Sequence, residues 1–210
     1  MMEVVTMRNI IVAAALLGGV LLHSPVVHGL GEPGVTERPG ALETFTSTQA
    51  ELTALVDAHA PAKDVQALVD GLLDYRFIMQ AALGGPAQYE ARCAPRCDEL
   101  QALLTALVRR TYVERITTSG RGTVEVVAHH VRDKATKIDT RVRWVEQGQT
   151  KVVSVDYVMH EVGGRWLVRD LITEGVSLAK NYRYELLRLH AEGGIDLVIT
   201  RLERKLHESR

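Results

Sequence analysis

Apolar side chains recur at helical spacing as far as about residue 117, and alternation takes over beyond it. Leu52, Leu55 and Val56 mark one amphipathic run; Val65, Leu68, Val69 and Leu72 mark a second at i, i+3, i+4 and i+7. Phe77, Ile78, Ala81 and Ala82 follow and stop at Gly84-Gly85-Pro86, because two glycines and a proline end a helix. A longer helix has Pro95 near its first turn and a stripe of Leu100, Leu103, Leu104, Leu107 and Val108, and runs to about Thr117. Four strands are predicted over 123–131, 135–146, 150–162 and 165–172, joined by the hairpin connections Arg132-Asp133-Lys134, Gln147-Gly148-Gln149 and Gly163-Gly164. Ser177 is a good N-cap for a helix over 178–191, and Gly193-Gly194 breaks it before a last helix over 195–206.

Helices gathered on one side of an antiparallel sheet make an α+β domain. Here helices pack on an antiparallel four-stranded meander, and two helices close the chain. In the third strand Val153, Val155, Tyr157 and Met159 point one way, and Val152, Ser154, Asp156 and Val158 the other. In the second, Ile138, Val142 and Trp144 oppose Asp139, Arg141 and Arg143; in the fourth, Trp166, Val168 and Ile172 share a side. One sheet face is therefore apolar and faces the leucine-rich helices. Such a face is either plain core or the wall of a cavity.

The first 29 residues read differently. Arg8 precedes Ile10–Leu22, an uncharged apolar run, and small residues around Val27-His28-Gly29 offer a cleavage site before Leu30. As a helix that run rises only about 20 Å, short of a bilayer's roughly 30 Å core. Residues 1–29 thus read as an export signal, 30–40 as a Gly- and Pro-containing linker, and 41–210 as one domain. A formal net charge of −1 excludes the basic surplus a nucleic-acid binder needs. In an oxidising compartment Cys93 and Cys97 would form a local disulfide; a metal site would need further ligands.

Catalytic constellations are sparse. His129 and His130 are adjacent on a strand, so they point to opposite faces and cannot share a metal. There is no HExxH, no GxSxG and no phosphate-cradling glycine loop. Asp170 is predicted to share its face with Trp166, Val168 and Ile172. It is either a base in apolar surroundings, which would make the protein a small enzyme, or a structural carboxylate satisfied by arginine or backbone amides. The structural reading is preferred.

Glu174-Gly175-Val176-Ser177-Leu178-Ala179-Lys180-Asn181-Tyr182-Arg183 resembles the "EGVSL…NYR" signature of the MlaC family, the toluene-tolerance type of periplasmic phospholipid-binding protein. Gly164-Arg165-Trp166-Leu167-Val168-Arg169-Asp170 upstream and Gly193-Gly194-Ile195-Asp196 downstream fit the same pattern, and Leu107 to Tyr112 fits the family's long helix. The family's aromatic-rich stretch after Leu-Gly is replaced here by Gly85-Pro86-Ala87-Gln88-Tyr89 and the CxxxC segment. The resemblance implies a helical layer over a curved antiparallel four-stranded meander, enclosing a deep apolar cavity that takes acyl chains, with no cofactor and no catalysis. It also implies transit of lipid through the periplasm between an inner-membrane MCE-domain ABC transporter complex and an outer-membrane lipoprotein complex, in the service of outer-membrane lipid asymmetry. The expected lining residues are Leu103, Leu104, Leu107, Val108, Trp144, Val153, Val155, Tyr157, Trp166 and Val168.

Overall fold

The computed structural model describes residues 39–118 and 122–208, so the expected signal over 1–29 and nearly all of the 30–40 linker lie outside the described residues. Five helices come first: α1 (Ala41–Asp57), α2 (Ala62–Leu72), α3 (Tyr75–Ala82), α4 (Pro86–Cys93) and α5 (Cys97–Thr118). The sheet follows as β1 (Gly122–Arg132), β2 (Ala135–Glu146), β3 (Gln149–Val162), β4 (Arg165–Thr173) and β5 (Val176–Ser177), and α6 (Leu178–Glu208) closes the chain. All strand neighbours are antiparallel and lie in sequence order, β1-β2-β3-β4-β5. The helices lie against one side of this meander, and no helix of the described residues is long and apolar enough to cross a membrane.

Local chemistry explains the boundaries. Gly163 and Gly164 have φ of 58° and 79°, the paired left-handed conformation of a two-residue hairpin turn whose twist matches the strands it joins. At the head of α3, Asp74 accepts a hydrogen bond from the Phe77 amide at 2.8 Å, while its own amide donates to the Val168 carbonyl at 2.9 Å. One residue thus caps a helix and fastens it to the edge of β4 beside the Leu73–Val168 bridge. At Gly84, with φ 96°, an added Cβ would meet the guanidinium of Arg92, which donates to the Leu83 carbonyl.

Two sequence expectations change. Pro86 ends the preceding helical run, as expected, but it also opens α4 from the first turn, where its missing N–H costs nothing. A two-residue fifth strand, Val176–Ser177, pairs with the end of β4. The glycine pair interrupts the last helix as expected: Gly193 and Gly194 both leave helical geometry within α6.

The fourth strand carries the main correction. Met159 pairs with Val168 and Val158 with Asp170, leaving Arg169 as an extra residue. This bulge reverses the alternation beyond it. Trp166 and Val168 share the inner face as expected, and Leu171 and Thr173 continue it. Asp170 and Ile172 turn to the other side, opposite Val158 and Asp156.

Candidate functional site

The inner sheet face is built by alternation. Val153, Val155, Tyr157 and Met159 of β3 stand beside Val142, Thr140, Ile138 and Thr136 of β2. Val155 is 4% exposed and Ile138 fully buried, so the face is covered. Thr140 fits among aliphatic neighbours because its hydroxyl donates to the Val155 carbonyl at 2.6 Å. Phe45 of α1 lies over Tyr157 with ring centroids 4.6 Å apart. Burial raises the Tyr157 hydroxyl's pKa above its ordinary value, which keeps it neutral.

The ten residues singled out in the sequence come together. Leu104, Leu107 and Val108 of α5 join Val153, Val155, Tyr157 and Val168 in a single buried apolar cluster; Leu103, Trp144 and Trp166 pack against it half-buried. Phe45 and the three buried threonines Thr136, Thr140 and Thr173 are not among the residues the sequence pattern predicts here.

A cleft of about 380 Å³ opens at one end of this layer, between α1, α2 and the β3–β4 hairpin. Ala67, Leu68 and Leu72 of α2 and Trp166 make its apolar walls; Thr44, Thr48 and Arg165 make its polar rim. Of the ten, only Trp166 lines the cleft. Of the others, seven belong to the buried core of the closed layer, and Leu103 and Trp144 pack against it. The α2 stripe had shown itself in the sequence as an amphipathic pattern, but spacing alone gives no way to tell which part of it borders an opening.

Asp170 is fully engaged with its own surroundings. One carboxylate oxygen accepts from the amides of Leu171 and Ala179 at 2.9 and 3.0 Å, the other from the Ser177 hydroxyl at 2.6 Å. This is a carboxylate satisfied by backbone amides and a hydroxyl, placed away from the Val168 face. Histidines also serve local contacts: His160 is 2.9 Å from Asp74, His130 is 3.0 Å from Asp139, and His190 is 3.1 Å from the Arg92 carbonyl. Among the described residues no three His, Cys, Asp or Glu side chains are grouped to hold a metal ion. Cys93 and Cys97 are joined by a disulfide across Cα atoms 4.7 Å apart, at the junction of α4 and α5.

A family model described as MlaC protein matches residues 42–204. The phospholipid-binding protein of Ralstonia solanacearum, solved in complex with a phospholipid, superposes with a TM-score of 0.65 at 19% identity, over 81% of this chain and 98% of that one. A variant of Rd1NTF2_05 aligns over 52% of this chain and 96% of its own at 17% identity, with a TM-score of 0.27, too low to bear on the fold. No curated protein sequence matches the chain.

Proposed function

The chain belongs to the MlaC family, and from that premise we propose that it is a periplasmic carrier of phospholipid, not an enzyme. The observation that carries this reading is the apolar inner face of the sheet under helices, with a cleft opening at its end. A diacyl lipid has roughly 28 methylenes, and exposing them to water costs about 0.8 kcal/mol each. A protein that moves such a molecule through water must surround the chains without a directional bond that would hinder release. Aliphatic walls do this.

In this reading the acyl chains lie against Val153, Val155, Tyr157, Trp144, Trp166 and Val168, faced by Leu103, Leu104, Leu107 and Val108 of α5. The chains enter by parting the helical layer from the sheet, and the Phe45–Tyr157 contact is the one they replace. The bound Ralstonia relative supports phospholipid as the ligand class. Residues 1–29 act as the export signal and 41–210 as the carrier domain. The carrier receives and delivers lipid between an inner-membrane MCE-domain ABC transporter complex and an outer-membrane lipoprotein complex, and so maintains lipid asymmetry. The Asp170 alternative loses ground because that carboxylate already accepts three hydrogen bonds.

Native mass spectrometry of protein purified from the periplasm of a cell with two membranes tests the proposal. Co-purified phospholipid at near one molecule per chain is the expected result. Protein that emerges empty and takes up no phospholipid from vesicles would overturn it.

A further inference from the structure

We propose that Arg165 binds the phosphate of the lipid headgroup at the mouth of the carrier, so that the cleft beside it is a phosphate subsite. This rests on the carrier reading above. Among the described residues that line the cleft, Arg165 is the charged one and none is a carboxylate. Its position is fixed twice over. It follows the Gly163-Gly164 turn directly, and a terminal guanidinium nitrogen, Nη2, donates to the Gly71 carbonyl of α2 at 3.0 Å. A guanidinium has five N–H donors in a planar fork suited to phosphate, so this one contact orients the group and leaves further donors for a ligand.

The neighbouring hydroxyl does not compete for that role. Thr48 donates its proton to the Thr44 carbonyl at 2.8 Å, and the guanidinium is the charged donor on the rim. On the other wall Trp166 faces the cleft and also packs against the buried cluster that contains Val168. A molecule with its phosphate on Arg165 therefore has an apolar path past Trp166 toward the inner sheet face. A volume of about 380 Å³ is at the small end of the roughly 300–1,000 Å³ found for small-molecule sites. It suits a phosphoglycerol group and the first carbons of its chains; the rest must pass into the layer.

The test compares two pyrene-labelled lipids with identical chains, phosphatidylglycerol and diacylglycerol, added to the delipidated full chain. Arg165→Gln weakens phosphatidylglycerol binding by about tenfold, the scale of a charge-assisted hydrogen bond, and changes diacylglycerol less than about twofold. Arg165→Lys, which keeps the charge and loses the fork, recovers part of the affinity. Equal weakening of both lipids, or unchanged phosphatidylglycerol affinity, would overturn the subsite while leaving the carrier reading intact. If the wild-type chain takes up neither lipid, the carrier reading fails and takes the subsite with it. Millimolar glycerol 3-phosphate leaves labelled phosphatidylglycerol in place; displacement would reassign the cleft to soluble phosphoesters and overturn the lipid clamp.

Discussion

The Ser177 hydroxyl donates to Asp170 at 2.6 Å and accepts from the Lys180 amide at 3.1 Å. With the Ala179 amide also on Asp170, two of the unpaired N–H groups that open α6 are satisfied, one by each residue. The middle of β4 and the start of the last helix are thereby one unit.

Asp170→Ala should therefore destabilise the fold and spare function. The loss of three bonds to one carboxylate, less relaxation, is about 2 kcal/mol, or about 4–8 °C in melting temperature for a chain of this size. Asp170→Asn keeps an acceptor and loses less. Lipid bound per folded molecule stays at the wild-type level in both variants. A fully stable Asp170→Ala protein with its activity abolished would instead mark the residue as a working base.

The tilted Phe45–Tyr157 contact gives a way to tell carrier from filled core. Phe45→Ala in the delipidated protein removes a buried ring and costs about 3–5 kcal/mol. With phospholipid bound the penalty shrinks, since acyl chains take the vacated space. Val155→Trp should lower retained lipid and cost the delipidated protein about 1–3 kcal/mol, because the face it enters is already covered. Melting curves with and without lipid measure both variants. Equal penalties for Phe45→Ala in the two states would mean that lipid does not reach this face.

On the outer sheet face Lys137 lies 2.9 Å from Asp139 and 2.7 Å from Asp156. Hydrogen bonds to Asp156 and Asp139 raise the Lys137 pKa above its ordinary value. Burial pushes the Asp139 carboxyl up, but its bonds to Lys137 and His130 outweigh this, so its pKa lies below the usual aspartate value. A depressed carboxylate stabilises the fold fully above the unfolded value of about 3.9, and that stability is lost as pH falls through the folded value. A raised lysine contributes fully below about 10.4 and loses its contribution as pH rises through the folded value. Lys137→Met should thus cost about 1 kcal/mol across the neutral range and progressively less toward pH 2. Urea midpoints measured at several pH values check this; a deficit that does not narrow in acid would assign Lys137 a packing role only.

For the cysteines, Ellman titration of unfolded, non-reduced protein from the periplasm should find no free thiol. The double change Cys93→Ala and Cys97→Ala should cost about 2 kcal/mol, since the closed loop is short, and leave lipid retention largely intact. A large loss of lipid in that variant would show that the α4–α5 junction shapes the pocket.

Elements that announce themselves through local chemistry were legible in the sequence. Alternation set the inner residues of β3, Gly163-Gly164 marked one hairpin and Gly193-Gly194 the break in α6, and Ser177 stood out as a cap. What escaped depends on contacts between distant segments. The bulge at Arg169 has no glycine or proline to flag it, so simple alternation predicts the wrong face for Asp170. Thr140 looks polar until the Val155 carbonyl is known to accept its proton. Arg165 reads as an ordinary hairpin residue until α2 is seen to run beside it.

The meander also sets an order of assembly. Each strand lies beside its neighbour in sequence, so the sheet grows by short loop closures that need no distant partner. Helices α1 to α5 come earlier in the chain, yet Phe45 and Leu73 find their partners on β3 and β4. Of these helices α2 has only 11 residues, too few to hold its shape unaided in water. A chain growing from its N-terminus therefore carries uncovered apolar stripes until β3 is complete. Pulsed hydrogen exchange during refolding should protect amides of β2 and β3 ahead of those of α1 and α2. Chains truncated at Gly148 should aggregate, because synthesis has then supplied α1 to α5 without the surface that shelters them.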